Sequence, residues 1–444
     1  MANVSLDLKK DLGAIKLMNC VNNGPTAPNV RKSPTSFDGY KALEIPFARN
    51  HDAAFFGGYG GEHTVDVHRI FRNFDADEND PESYIFEPTD KYVKTTMAAG
   101  TKVFYRLGAA IEHDFKFGTR VPKDFAKWAR ICEHIIRHFN EGWANGMEVG
   151  IEYWEIWNEP DCRNADGSNP CWQGTEEQFI DLYRVTSKHL KACFPNLKIG
   201  GPAFTGCWPT PFKDAFLDTV AKEKLPLDFY SYHWYGKNVT DIGLSMQKAR
   251  DELDKRGLTD TITILNEWNY IRGWMAEDWR YSLASERGLK GSSFIAGVMC
   301  MGQEKPLDML MYYDARPCGM NGIFAQETYL PLKGYYPFAM FRELRKLGGW
   351  KATASDDEDI YLCGAGDGKD SAVMLTYYND DDTLGDKDVR LTVSGAEGEQ
   401  KAEIYLLDAD HDMTLMSEQY FTAEKFTLHL KMSLFSTVLV KFTK

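Results

Sequence analysis

Eight short apolar runs, rich in β-branched and aromatic residues, recur through the first three quarters of this chain with helical patterns between them. The runs are Ala14–Asn19, Glu44–Asn50, Lys102–Leu107, Gly150–Ile156, Lys198–Ala203, Asp228–His233, Thr261–Asn266 and Asp308–Tyr313. The clearest intervening helix is predicted over Lys123–Trp143. There Phe125, Trp128, Ala129, Cys132, Ile135, Ile136, Phe139 and Trp143 share one face at spacings of three and four. Further helical patterns cover Thr175–Phe194, Pro211–Lys224, Asp241–Gly257, Asp278–Met301 and Leu332–Leu347. Strands alternating with helices imply a parallel sheet with right-handed crossovers. Eight such units over residues 13–347 predict an α/β fold, a (β/α)8 TIM barrel; an open doubly wound sheet is the alternative.

The period changes after Gly348-Gly349. Val389, Leu391 and Val393 alternate with polar residues, as do Phe426, Leu428 and Leu430, and then Val438, Val440 and Phe442. Period-two runs separated by Asp- and Gly-rich turns predict a small antiparallel β-sandwich over residues 348–444. A strand from residues 1–12, around Val4–Leu8, is placed to complete it. With 444 residues the chain is too long for one ordinary core, and two domains follow.

Two strands end in carboxylates. Trp154-Glu155-Ile156-Trp157-Asn158-Glu159-Pro160 puts Glu159 where the fourth strand gives way to a loop, and Glu267-Trp268-Asn269 closes the seventh. In a barrel, active sites lie at the C-terminal ends of the strands, so both acids can face one another across the mouth. Paired carboxylates in unlike surroundings are what glycosidic hydrolysis needs, because one must hold a proton while the other stays ionised. Asn158 is a candidate donor to a sugar hydroxyl. His233 and Tyr235 end the sixth strand, where either can bind the sugar or orient Glu267.

Other classes fit less well. The net charge of −14 disfavours nucleic acid and anionic membranes as partners, and a neutral oligosaccharide or glycoside suits it better. The aromatic content of 13 % is compatible with sugar stacking or with a large core. Asp75-Ala76-Asp77-Glu78-Asn79 opens like a calcium loop but continues with Asp80 and Phe86 where Gly and Glu are required. His134 and His138, one turn apart, lack a Glu-bearing zinc motif and read as a solvated helix face. No metal and no cofactor are expected. The nine cysteines have no zinc-finger spacing and are expected as reduced, mostly buried thiols, with a Cys162–Cys171 bridge open if the protein is exported. No signal peptide is visible at Met1–Lys10, and the compartment stays open between cytoplasmic and, if a leader has been removed, periplasmic or secreted. No interface patch for a homo-oligomer can be read from the residues.

Trp-Asn-Glu-Pro after the fourth strand, with an acid at the end of the seventh, resembles the clan of retaining (β/α)8 glycosidases. Within it the chain is similar to glycoside hydrolase family 39, home of β-xylosidases and α-L-iduronidases. Gly200-Gly201-Pro202-Ala203, Asp228 through Tyr235, Asn321-Gly322-Ile323-Phe324 and Lys333 through Phe338 carry the same likeness. The resemblance implies that Glu159 is the acid/base, Glu267 the nucleophile and Asn158 a partner of the 2-hydroxyl. His51, His113 and Trp268 stand where sugar contacts are expected, as does Tyr313, where the family places a Trp platform. The insert Phe55–Gly61 is a candidate pocket wall, and Arg49, Arg106 and Arg316 are candidates for binding a uronate. The rival reading is a non-catalytic carbohydrate-binding protein on the same scaffold.

Overall fold

The computed structural model describes residues 1–28, 34–52, 63–112 and 116–444. Eight parallel strands close into a barrel: β2 (Leu17–Asn22), β3 (Phe47–Asn50), β4 (Lys102–Leu107), β5 (Tyr153–Ile156), β6 (Lys198–Phe204), β7 (Phe229–His233), β8 (Ile262–Glu267) and β9 (Met309–Tyr312). Ten α-helices are described: α1 (Phe37–Ala42), α2 (Val67–Ile70), α3 (Glu87–Ala98), α4 (Phe125–Glu141), α5 (Glu176–Cys193), α6 (Pro211–Glu223), α7 (Val239–Asp254), α8 (Ala276–Glu286), α9 (Leu289–Glu304) and α10 (Tyr335–Leu347).

Local chemistry explains the helix limits. The Asp124 carboxylate accepts from the Lys127 amide to start α4, and Gly142, at φ 72°, ends it in the left-handed region. Thr175 and Gln178 cap α5 reciprocally. The apolar face of α4 is buried against the barrel, including Trp128, Ile131, Cys132, Ile135, Ile136 and Phe139.

Three expectations are corrected. The first barrel strand begins at Leu17 rather than Ala14, because Ala2–Ala14 is a separate strand, β1, of the other sheet. Asp278–Met301 is two helices, since Arg287 and Gly288 interrupt the hydrogen-bond ladder between α8 and α9. His138 is buried rather than solvated: it stacks on Phe86, and its Nε2 lies 2.8 Å from Asp90.

The second sheet has nine strands. They are β1, β10 (Gly349–Ser355), β11 (Ile360–Gly366), β12 (Ser371–Tyr377), β13 (Lys387–Ser394), β14 (Gln400–Leu407), β15 (Asp412–Phe421), β16 (Lys425–Met432) and β17 (Thr437–Thr443). Their order is β15-β14-β17-β12-β11-β10-β1-β13-β16. The sheet folds over itself, so that Phe426 near one edge packs on Phe442 of an inner strand at 5.8 Å. It is not wholly antiparallel, since β1 pairs parallel with β13. Many elements separate β1 from β13 in the chain, so no hairpin turn fixes their relative direction.

Inside the barrel the side chains form layers. Cys20, Phe47, Phe104, Phe229, Ile264, Met309 and Met311 make an apolar plug. Two residues further along the strands, the inward positions become polar: Arg49 follows Phe47, Glu155 follows Tyr153, Ser231 follows Phe229 and Asn266 follows Ile264. This polar layer is the floor of the site.

Candidate active site

Arg49 organises the floor. Its guanidinium is fully buried and donates to Glu155 (2.6 Å), Glu267 (2.6 Å), Asn158 (2.7 Å) and Asn22 (3.1 Å). Glu155 in turn accepts from Ser231 and Asn266, each at 2.6 Å. A buried guanidinium without carboxylates would be prohibitively costly. Here Glu155 and Glu267 raise its pKa despite the opposing effect of burial.

The candidate nucleophile is aimed by an irregularity in β8. Opposite β7 the register slips, so that Tyr232 pairs with Leu265 while His233 pairs with Glu267. The extra residue lets Asn266 face the barrel interior and Glu267 also turn to the mouth, the kind of re-aiming that bulges supply near active sites. Glu267 accepts from Arg49 on one oxygen and from the Tyr235 hydroxyl (2.9 Å) on the other. Burial raises its pKa, while His233 and Arg49 oppose the rise.

Glu159 is held differently. Trp157 and Glu159 have φ of 78° and 47°, conformations that cost a non-glycine residue energy and persist only where surroundings enforce them. Trp157 is fixed by the bond from its indole N–H to the Cys171 carbonyl (2.9 Å) and lies against Gly108, where an added Cβ would stand 2.9 Å from the ring. The Glu159 amide donates to Ala203 (2.9 Å). Its carboxyl pKa is pushed up to about 8, by burial first and by the charge of Asp161 second.

His233 lies between the two acids, its Nδ1 2.7 Å from Glu159 and 3.4 Å from Glu267. Oxygens of both carboxyls and a ring nitrogen of His233 all fall within 4.8 Å of one another. Burial lowers the His233 pKa to about 4, so the ring is neutral at neutral pH.

The remaining candidates divide. Asn158 offers its oxygen to Arg49, which leaves its NH2 as the group to meet a substrate. His51 Nδ1 accepts from Arg106 Nε (3.0 Å), so a neutral ring carries its proton on Nε2, 3.5 Å from Glu267. Tyr313 donates to Asp52 and faces Tyr235 edge-on at 6.4 Å. Trp268 is not part of the site. It is fully buried between Tyr312 and Phe294, because the residue after Glu267 points out of the barrel. His113 and the Phe55–Gly61 insert lie outside the described residues. The three arginines are committed elsewhere: Arg49 as above, Arg106 to Asp66 (2.6 Å) and Arg316 to Asp314 (3.2 Å).

Sequence reasoning passed over Glu155 and Asp52, and it passed over Trp274, which is 56 % exposed and edge-on to Tyr235 at 5.2 Å. For Glu155 a signal existed: an acid at the inward parity of an otherwise apolar strand needs a buried cation, and Arg49 stands at the same parity of β3. All nine cysteines are free thiols.

Residues 48–265 match the family model for Glycosyl hydrolases family 39. A β-xylosidase of Geobacillus stearothermophilus is 30 % identical over 176 residues, covering 37 % of this chain and 33 % of that protein. One of Caldicellulosiruptor saccharolyticus is 27 % identical over 162 residues, covering 36 % and 29 %. The chain thus aligns with about a third of the length of these curated relatives. Among solved structures, a glucosidase from Croceicoccus marinus superposes with a TM-score of 0.80 at 20 % identity, covering 100 % of this chain and 99 % of that one. A monomeric β-xylosidase from Caulobacter crescentus gives 0.73 at 16 %, with 100 % and 99 % covered. At these identities the superpositions speak for the fold alone.

Proposed function

We propose that the chain is a member of glycosyl hydrolase family 39, whose model matches residues 48–265, and that it is a retaining exo-glycosidase that removes a terminal neutral sugar, with a β-xyloside as the first substrate to test. The observation that carries the reading is that one oxygen of Glu159 and one oxygen of Glu267 lie within 4.8 Å of each other, with the two carboxyls in opposed surroundings. Retaining enzymes hold their carboxyls about 5–5.5 Å apart and inverting ones about 6.5–9.5 Å. Arg49 and Tyr235 bond the charged form of Glu267, whereas Asp161 disfavours charge on Glu159. The site's proton therefore resides on Glu159 and its negative charge on Glu267.

In the first step Glu267 attacks the anomeric carbon while Glu159 gives its proton to the departing oxygen, whose bond to that carbon breaks. Glu267 is then an uncharged ester. Loss of its charge lowers the pKa of Glu159, which takes a proton from water as the water oxygen displaces Glu267. Asn158, oriented by Arg49, donates to the 2-hydroxyl. A neutral sugar is favoured because the charges of Arg49, Arg106 and Arg316 are each already balanced by a carboxylate. The xyloside is suggested by the names of the sequence relatives.

A panel of aryl glycosides, with product configuration followed by NMR, tests this. The wild type should release sugar with its configuration retained. Glu267→Ala should be inactive. Glu159→Ala should lose about 10²–10⁴ in rate, be least impaired on good leaving groups and be partly rescued by azide. Binding of oligosaccharides without cleavage, or an inverted product, would overturn the proposal.

A further inference from the structure

The loop after Glu159 brings two thiols close to its carboxyl, with Cys171 facing the oxygen that does not meet His233. Sγ of Cys162, Sγ of Cys171 and an oxygen of Glu159 lie within 4.8 Å of one another, with Cys171 3.9 Å from the carboxylate. Backbone bonds fix all three. The Cys162 amide donates to the Glu159 carbonyl (3.0 Å). The Cys171 amide donates to Asn169 (2.8 Å), and the Cys171 carbonyl accepts from Trp157. Between them the chain doubles back through Asn164–Ser168, whose amide and carbonyl meet at 2.8 Å.

We propose that Cys162, Cys171 and Glu159 form a binding site for a thiophilic divalent cation of the Zn²⁺ class, and that occupancy withdraws Glu159 from catalysis. Two sulfurs on a tetrahedral zinc stand about 3.8 Å apart, given Zn–S bonds of about 2.3 Å. Closing the observed spacing to that value takes about 1 Å or less of side-chain movement. Two thiolates and one carboxylate make a donor set suited to Zn²⁺ or Cd²⁺ and unsuited to Mg²⁺ or Ca²⁺. Both thiols lose their protons to solvent on binding. Cys162 is half-buried and Cys171 buried, so the fourth ligand position opens on the Cys162 side. A carboxylate bonded to zinc can neither carry nor deliver the proton that the leaving oxygen requires. This effect on turnover rests on the proposed role of Glu159; the metal site itself does not.

The test uses phosphine-reduced protein carrying Cys193→Ser, which removes the thiol of a separate Glu133–His189–Cys193 cluster. Titration with Cd²⁺ should give thiolate-to-metal absorption saturating at one ion per chain. Cys162→Ser and Cys171→Ser should each weaken it on the order of 100-fold, and Glu159→Gln by about tenfold or more. Should a serine variant fail to fold, Zn²⁺ protection of Cys162 and Cys171 against alkylation, read by mass spectrometry in the unmodified chain, decides the matter. Absent absorption, absorption that survives both serine substitutions, or unprotected thiols would overturn the site. An active enzyme that binds no cadmium sinks this proposal alone. A chain that binds cadmium but cleaves no glycoside once a chelator has stripped the metal sinks the glycosidase reading alone, whereas a metal-free chain that is active and keeps full activity when loaded with Zn²⁺ or Cd²⁺ overturns the effect on Glu159.

Discussion

Glu159 is kept protonated at a cost that pH exposes. Its folded pKa of about 8 lies above the ordinary 4.5, so the folded chain holds a proton that the unfolded chain has released. The associated stability is complete below pH 4.5 and is lost as pH rises towards 8. Glu159→Gln, which cannot ionise, should therefore melt higher than wild type at pH 8 and close to it at pH 4, as scanning calorimetry at both values would reveal. The same pKa should set the alkaline limb of kcat/KM. Asp161→Asn removes the second cause of the elevation and leaves Lys213, 3.0 Å from that carboxylate, uncompensated. Both effects move the limb to lower pH, by about one unit if the lost interaction is worth about 1.4 kcal/mol; a limb that stays in place would separate the profile from Glu159. At this scale the two acids were legible because each ends an apolar strand beside an amide. Arg49 and Glu155 were less so, since a buried ion pair joins strands far apart in sequence and only inward parity hints at it. Trp268 misled because a single inserted residue in β8 reverses which neighbour of Glu267 faces the mouth.

Among the elements, periodicity located most helices and strands but misjudged where they stop. The pattern over Asp278–Met301 runs unbroken in hydrophobicity, yet α8 ends at Glu286 and α9 starts at Leu289. The close approach of Gly291 to the Glu286 backbone shows why: a Cβ there would stand 2.6 Å from it. The break leaves a cost. Both Glu286 oxygens are buried with no hydrogen-bond partner among the described residues, and burial drives the carboxyl pKa well above its usual range. Glu286→Met keeps similar volume and removes the unpaired group, so stability to urea should rise by about 1–3 kcal/mol. A raised folded pKa makes wild-type stability fall with rising pH, so the gain should be larger at pH 8 than at pH 5. A substitution that destabilises at both would show that Glu286 has a partner. Strand β1 was placed in the right sheet but its end was misjudged, because Ala2–Ala14 runs almost into β2 and nothing local separates one sheet from the other.

Across the molecule, the barrel and the nine-stranded sheet share one core. Cys363, Ala365, Ala372, Met374 and Leu439 of the sheet belong to the same buried cluster as Phe294, Met340 and Phe341 of α9 and α10. Lys290 of α9 reaches Asp380 and Asp382 at 2.8 and 2.9 Å, and Tyr270, beyond β8, donates to Asp380 at 2.7 Å. This last contact ties the segment after Glu267 to the sheet. Strand β1 is the other link, since it fills the place between β10 and β13 before the chain enters the barrel. Leu6 on β1 is fully buried in the inner cluster of the sheet, remote from the acids. Leu6→Ala should cost about 2–5 kcal/mol. If the two units melt together, calorimetry will show one transition, and the temperature at which the proposed glycosidase activity is lost will fall in step with it. If the sheet instead unfolds by itself, a second transition will separate and the thermal limit of activity will stay where it was. The shared core favours the first outcome, because opening the sheet would strip apolar cover from α9 and α10, which pack on β2 of the barrel and touch Trp268 and Tyr312 through Phe294 and Phe338.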